Sequence, residues 1–174
     1  MALCCVLFSK PIENIQLLLE SLDRFSPSIE LVDAQTALLD LGVTFKGAEI
    51  GAQIAILLQA AVGVGSNRLV AMVAARNASP GTAIALTAVQ EPSFLRSQSV
   101  SYLPIELETS RRLELLGVNT FADLSAISEK HLVNQFGELG HRMAGWVRGV
   151  DETLLRARSL PELQPAIQIG RAHV

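Results

Sequence analysis

A stretch near the C-terminal end of the chain reads Leu115-Leu116-Gly117-Val118-Asn119-Thr120-Phe121-Ala122-Asp123-Leu124, then Phe136-Gly137-Glu138-Leu139-Gly140, then Arg148-Gly149-Val150-Asp151. Apolar residues recur here at helical spacing, and glycine-containing turns separate the segments. The pattern predicts helices over 108–116, 120–126, 129–136 and 139–150. Two short helices joined by a glycine turn, repeated in tandem, are what a helix-hairpin-helix domain requires.

Such hairpins hold nucleic-acid backbone through main-chain N–H groups, so the stretch predicts DNA binding. The second hairpin supplies the candidates for backbone contact, which are Gly137, Gly140, His141, Arg142 and Arg148. The charge balance opposes this hypothesis, because residues 101–158 carry seven basic and eight acidic side chains and the whole chain has a net charge of −3. An alternative stays open: the glycines end helices and allow close packing. Trp146 is expected in the core.

The first half of the chain has a different pattern. Hydrophobic residues make up 49% of the chain and charged residues 18%, which is enough apolar material for a buried core. Strands are expected over 1–8, 29–32, 37–41, 62–64 and 82–88, and helices over 11–24, 48–61, 67–77 and 91–96, with Ser66 capping the third helix. This alternation up to about residue 92 predicts a small sheet covered by helices.

The predicted domains are an α/β domain over 1–95, a helical domain over 96–150 and a linker over 151–168. The last six residues, 169–174, are expected to be a sequence artefact, because one codon choice for them spells a common sequencing-adapter read. The natural protein is then expected to continue further. Cys4 and Cys5 are adjacent and cannot easily pair, and no apolar run is long enough to span a bilayer, so a reduced, cytoplasmic protein is expected.

The order of several landmarks resembles a known family. They are Phe25-Ser26-Pro27, Leu38-Leu39-Asp40, Gly65-Ser66-Asn67-Arg68, Ser79-Pro80-Gly81 and Leu103-Pro104, followed by the glycine turns quoted above. Together they resemble the Y-family (UmuC-like, translesion) DNA polymerases over about residues 20–155. More narrowly, the chain is similar to the polymerase-like accessory subunit of the bacterial mutasome (ImuB-like). The resemblance implies an α+β fold, with a ferredoxin-like palm sheet and helices followed by an all-α helix-hairpin-helix thumb.

The resemblance also implies where catalytic residues should lie, and this chain lacks them. Phosphoryl transfer needs carboxylates that hold two metal ions. Gln35 and Thr36 occupy the positions of the expected acidic pair, and Met72 occupies the position of the expected triphosphate-binding lysine. The first strand has no carboxylate. Asp33 and Asp40 lie nearby but do not occupy the positions that the acidic pair requires. About twenty residues separate the first strand from the Ser-Pro turn, too few for a fingers domain, so no catalytic, nucleotide-binding or metal-binding residues are expected.

The leading hypothesis is therefore a non-catalytic Y-family homologue acting as an accessory or scaffold in DNA repair, translesion synthesis and the SOS response. It would need no cofactor and would bind primed or damaged DNA weakly in a nucleoid-associated, cytoplasmic setting. The resemblance implies the sliding clamp and other mutasome proteins as partners, through regions beyond this chain, and no membrane. One alternative is an active translesion polymerase fragment, which would need Mg²⁺. The other is a protein-interaction module without DNA binding.

Overall fold

The computed structural model describes residues 1–156, so the end of the predicted linker and the predicted artefact at 169–174 lie outside the described residues. Within residues 1–156, five strands and eight α-helices follow one another. They are β1 (Ala2–Leu7), α1 (Ile15–Asp23), β2 (Ile29–Asp33), β3 (Thr36–Gly42), α2 (Gly47–Leu58), β4 (Ala61–Gly65), α3 (Arg68–Asn77), β5 (Ala83–Ala85), α4 (Glu91–Arg96), α5 (Leu107–Leu115), α6 (Phe121–Ser125), α7 (Glu129–Phe136) and α8 (Glu138–Trp146). Within this described part, none of the helices combines the length and apolar character needed to cross a bilayer.

The strands form one sheet in the order β2-β3-β1-β4-β5. β1 runs antiparallel to both β3 and β4, and β2 pairs with β3 as a hairpin. β5 adds to β4 in parallel at the edge. The first four strands with α1 and α2 have the β-α-β-β-α-β order of a ferredoxin-like sheet. The predicted α+β class with a small palm sheet is confirmed.

Side-chain alternation along β1 divides the core of this domain into two layers. Cys4 and Val6 face α1 and α2, where they pack with Leu19, Leu22 and Ile54. The intervening positions of β1 face α3, where the cluster comprises Leu3, Cys5, Leu38, Ala71 and Ala75. The sheet is therefore covered by helices on both faces, and α3 lies on the face opposite α1 and α2.

A second core holds the thumb together and includes α3. Helices α5 to α8 bury Leu113, Phe121, Leu124, Leu132, Met143 and Trp146. Leu69, Val70 and Val73 of α3 belong to the same cluster. Trp146 is 2% exposed, which confirms its expected place in the core. One helix thus contributes to the cores of both the sheet and the thumb.

Some local predictions were wrong: α8 ends at Trp146 and not at 150, and two further errors concern a helix cap and a helix start. The cap of α3 is Asn67, whose Oδ1 accepts the Val70 N–H over 3.0 Å. The expected cap, Ser66, instead donates its N–H and hydroxyl to the carboxylate of Glu91 over 2.7 and 2.6 Å. Helix α1 begins at Ile15, four residues after the expected start, because Asn14 has extended backbone angles and caps it.

Candidate functional site

The first part of the candidate site is the end of the sheet where β1 meets the β2–β3 turn. Gln35 lies in this turn, and Thr36 begins β3 opposite Leu7. The Gln35 side-chain amide donates to the Phe8 carbonyl over 3.1 Å, and the Phe8 N–H donates to the Gln35 carbonyl over 2.8 Å. Thr36 is 5% exposed. Uncharged side chains therefore occupy the positions where the resemblance implies acids, and the carbonyl of Phe8, just after β1, accepts from the Gln35 amide.

The two nearby carboxylates each accept a hydrogen bond from the backbone N–H two residues later. Asp33 Oδ1 accepts the Gln35 N–H over 2.8 Å, and Asp40 Oδ1 accepts the Gly42 N–H over 2.7 Å. Asp33 ends β2, whereas Asp40 lies near the far end of β3, so the two groups do not converge. Across residues 1–156, no three His, Cys, Asp or Glu side chains are grouped so that they could hold a metal ion.

The paired cysteines of β1 are buried thiols. Cys4 and Cys5 are 0% and 1% exposed and lie on opposite faces of the sheet. Burial raises the pKa of Cys5 to about 12 and raises the pKa of Cys4 further. Because the thiolate is the form that binds metals and attacks electrophiles, both side chains act as apolar core residues.

The position of the expected lysine on α3 is apolar. Met72 is half-buried and packs against the cluster between α3 and the sheet. Arg68, one turn earlier, donates to both carboxylate oxygens of Glu30 over 2.8 and 3.0 Å. Glu30 also accepts the backbone N–H of Arg156 over 2.7 Å. Arg68, the arginine one turn before Met72, is therefore engaged in an ion pair within the chain.

The start of α3 is joined to the end of the thumb. The Asn67 side-chain amide donates to the Gly149 carbonyl over 2.7 Å, and Asp151 Oδ2 accepts the Leu69 N–H over 3.1 Å. The same Asp151 accepts both the N–H and the hydroxyl of Thr153 through Oδ1. The sequence pattern does not reveal this joint, because it connects residues 82 positions apart. Hydrogen bonds therefore fix the thumb against the palm helix.

The first thumb turn is acidic. Leu103 is buried, but Glu106 and Glu108 are exposed around the first turn of α5. No side chain caps α5, and its N-terminal residue is Leu107. Carboxylates at this position repel phosphate, so the turn does not offer an anion site.

The second hairpin, α7 with α8, holds the two candidate glycines. Gly137 has a φ of +62° and joins the two helices directly. Gly140 lies against α7, where an added Cβ would be 2.1 Å from the Leu132 carbonyl oxygen. This geometry gives Gly140 a helix-packing role. No side chain caps the start of α8, so the first main-chain N–H groups of this helix have no side-chain hydrogen-bond acceptor at the cap position.

A carboxylate lies next to two of the three candidate cations. Glu129 Oε1 is 2.5 Å from His141 Nδ1, and Glu129 Oε2 is 3.6 Å from a guanidinium nitrogen of Arg148. The hydrogen bond from His141, with a smaller contribution from Arg148, lowers the pKa of Glu129. The sequence pattern does not indicate a role for Glu129, since its pairing with residues of α8 requires α7 and α8 to be antiparallel. The three side chains form a partly neutralised cluster on the hairpin surface.

The third candidate cation is oriented by an aromatic ring. The Arg142 guanidinium carbon lies 5.0 Å from the centre of the Trp146 ring. A cavity of about 550 Å³ follows this side of α8, and its lining includes His141, Arg142 and Arg148. Gly137 and Gly140 do not line it. The structure therefore brings three of the five predicted residues to one cavity and leaves the two glycines to shape the hairpin.

Comparisons with known proteins point to one group of enzymes. No protein-family model matches the chain. It is similar to DNA polymerase IV of Neisseria meningitidis (26% identity, 77% of this chain, 41% of that protein) and of Caulobacter vibrioides (29% identity, 85% of this chain, 40% of that protein). A DinB family error-prone DNA polymerase from Sulfolobus solfataricus superposes with a TM-score of 0.71 at 14% identity, over 89% of this chain and 68% of that one.

These similarities agree with the geometry of the sheet and the tandem hairpins. The chain spans about two fifths of the length of the curated relatives it matches. Those relatives are named DNA polymerase IV, and this chain has the palm-and-thumb fold of the Y-family DNA polymerases.

Proposed function

We propose that this chain is a non-catalytic Y-family polymerase homologue, ImuB-like in kind, that acts as an accessory or scaffold in DNA repair and translesion synthesis. The observation that carries the proposal is the end of the sheet at Leu7, Gln35 and Thr36. These side chains are uncharged, and the backbone satisfies the Gln35 amide. Two-metal phosphoryl transfer needs several anionic ligands at the reacting centre, and these three positions offer none, while the nearby Asp33 accepts the Gln35 N–H. Met72 likewise offers no charge to a triphosphate.

Primer extension tests the catalytic half of the proposal. With primed template, all four nucleotides and either Mg²⁺ or Mn²⁺, we expect no nucleotide incorporation above a protein-free control. DNA polymerase IV assayed in parallel provides the positive control. Incorporation by this chain that disappears in Asp33→Ala would contradict the proposal and favour an active translesion polymerase fragment.

The DNA half of the proposal concerns the α7–α8 hairpin. Its candidate contacts are the uncapped N–H groups at the start of α8, together with His141, Arg142 and Arg148. Backbone phosphates are the expected ligand, because N–H groups at a helix start and guanidinium groups both favour anions. Affinity should fall as salt rises, since phosphate contacts release counterions. Binding that does not change between low and moderate salt would remove the DNA half.

Glu129→Gln should strengthen DNA binding. The substitution removes the carboxylate that holds His141 and Arg148, so both become free to contact phosphate. We expect about threefold tighter binding, within the range of an exposed ion pair. Fluorescence anisotropy with a labelled primed duplex measures it.

Glu114→Gln is the matched control for that experiment. It removes the same charge from an exposed position of the thumb on α5, away from the cavity along α8, and within the described residues Glu114 forms no salt bridge. Its effect should be smaller than that of Glu129→Gln. Equal gains from the two variants would show only a general charge effect and would count against specific contacts by His141 and Arg148.

A second candidate function, a protein-interaction module, has one observation in its favour. The outer surface of α1 and α2 exposes Ile15, Leu17, Ile56 and Leu57 by 46%, 59%, 66% and 45%. Exposed apolar side chains grouped on neighbouring helices are typical of protein-binding surfaces. A pull-down after nuclease treatment tests it: partners retained without any DNA binding would favour this function over the first. The sliding clamp and mutasome proteins are the partners to test first.

A further inference from the structure

A groove runs between α1 and α2 on the outer side of the palm. Two cavities of about 440 and 630 Å³ follow it, one lined by Leu17 and Leu58 and the other by Phe25 and Ile50. The start of α1 therefore faces the end of α2, so the two helices are antiparallel along the groove. We propose that this α1–α2 groove pairs the chain with a second copy of itself, with α2 of each copy packed into the groove of the other. The proposal rests on the protein-interaction surface of the second candidate function and names its partner.

Helix α2 lacks the charged outer side of an ordinary surface helix. Glu49 is the only charged residue among its twelve, and the helix exposes Ile56 and Leu57 by 66% and 45%. A helix that is apolar on almost every side is ordinarily buried on every side. The sheet covers one side of α2, where Gly51 and Ile54 are buried. A further polypeptide is therefore expected over the other side.

The charges around the groove favour a copy of the same chain over a partner with a strong charge of one sign. Helices α1 and α2 and the short segments beside them expose three basic and four acidic side chains, which are Lys10, Arg24, Lys46, Glu13, Glu20, Asp23 and Glu49. Among the described residues, none of these seven forms a salt bridge. Both signs lie at each end of the groove, so a copy rotated by 180° brings opposite charges together.

Gln53 is the polar residue at the middle of the proposed contact. It is exposed, lines the groove and lies halfway along α2. In a contact between identical chains, a residue near the two-fold axis faces itself. A glutamine amide both donates and accepts hydrogen bonds, so Gln53 can pair with Gln53 of the second copy. With the axis at this point, Leu57 of each copy packs beside Ile50 of the other.

The pairing leaves the thumb of each copy accessible. Helix α3 lies on the face of the sheet opposite α1 and α2, and it belongs to the core of the thumb. The α7–α8 hairpins of the two copies therefore lie away from the interface. Substitutions in the groove should change the oligomeric state without changing the contacts of the hairpin.

Ile56→Glu tests the pairing. Sedimentation velocity of the unchanged chain over a wide range of concentrations should show a monomer–dimer equilibrium. The substitution places a carboxylate in the apolar contact and should raise the dimer dissociation constant by about tenfold or more. Ile56 is exposed, so the variant is expected to fold, which a thermal melt by circular dichroism verifies.

Leu116→Glu is the control that adds the same charge elsewhere. Leu116 is 66% exposed, as Ile56 is, and it follows α5 in the thumb. This variant should change the dimer dissociation constant less than about twofold. Equal weakening by the two substitutions would show association through general apolar contact and would overturn the α1–α2 interface.

A disulfide across the two-fold axis tests the position of Gln53. Cys4 and Cys5 are 0% and 1% exposed, so Gln53→Cys adds an accessible thiol to a chain whose own thiols are buried. Mild oxidation should link two chains through this residue, which a non-reducing gel reports. Ser125→Cys, at an exposed position on α6 of the thumb, should link several-fold fewer chains. Equal linking through the two positions would contradict the proposed axis.

The oligomeric state separates failure of the dimer from failure of the proposed function. A chain that stays monomeric at every concentration overturns the dimer. If that monomer still retains a protein in the nuclease-treated pull-down and Ile56→Glu loses it, the groove belongs to another partner and the second candidate function stands. If the monomer retains none, both the dimer and that candidate fail. Primer extension and DNA binding test the leading function in each case.

Discussion

Gly63→Ala should destabilise the protein more than any other alanine substitution of a strand glycine. An added Cβ would lie 2.1 Å from the Ala71 carbonyl oxygen and 2.2 Å from the Ala75 N–H nitrogen. Both contacts are with backbone, so no rotamer change relieves them. β4 is an interior strand of the sheet, paired with β1 and β5, and cannot move away. Helix α3 must shift, and we expect a loss of about 3 kcal/mol or more from the free energy of unfolding.

Urea denaturation followed by circular dichroism measures that loss, with Gly117→Ala as the control. Gly117 has a φ of +79° but an added Cβ there would meet nothing within 4 Å. Its cost is only the left-handed backbone angle, about 1–2 kcal/mol. Equal losses for the two variants would mean that close approach of β4 and α3 contributes nothing. A larger loss for Gly63→Ala would show that α3, which carries Asn67 and Arg76, can pack in its position only because residue 63 has no side chain.

The sequence predicted the elements whose signals are local. Helix α7 has the predicted bounds, because Ser128 caps its start and Gly137 ends it. The β2–β3 hairpin also lies where the alternation of apolar residues indicates. The strand expected over 62–64 is shorter than β4, because Gly63 and Gly65 weaken the apolar pattern. The structure supplies the reason for those glycines, which is contact with α3.

The candidate site was only partly predictable, for a physical reason. The lack of charge at Gln35, Thr36 and Met72 is visible in the sequence once these positions are aligned with the family's motifs. Whether the charged side chains of the site are free or paired depends on contacts that form only in the folded protein. Glu129 meets His141 across a helical hairpin, and Arg76 and Arg156 line one cavity from positions 80 residues apart. Charge counts along the sequence hide this, because they cannot tell a paired carboxylate from a free one.

Gly140→Ala is the most informative change in the thumb, because it separates a helix-packing role of this glycine from a phosphate-binding role. An added Cβ would lie 2.1 Å from the Leu132 carbonyl oxygen and 2.7 Å from the Val133 nitrogen, both in the backbone of α7. The helices must separate, and we expect a loss of about 3 kcal/mol in stability. Gly145→Ala, also in α8, is the matched control. Its Cβ would come no closer than 3.4 Å to the Val150 carbonyl oxygen, so better helix propensity should leave stability unchanged or slightly raised.

Measuring stability and DNA binding on both variants separates the two explanations for Gly140. If the glycine serves helix packing, Gly140→Ala lowers the midpoint of denaturation. It also moves His141 away from Glu129, so the pKa of Glu129 rises toward its ordinary value, which carboxyl chemical shifts report. The affinity for DNA then decreases only to the extent that α7 and α8 separate. If instead the glycine admits a phosphate, Gly140→Ala keeps its stability and its low Glu129 pKa but loses binding. The buried position of Gly140 against α7 leads us to expect the first result.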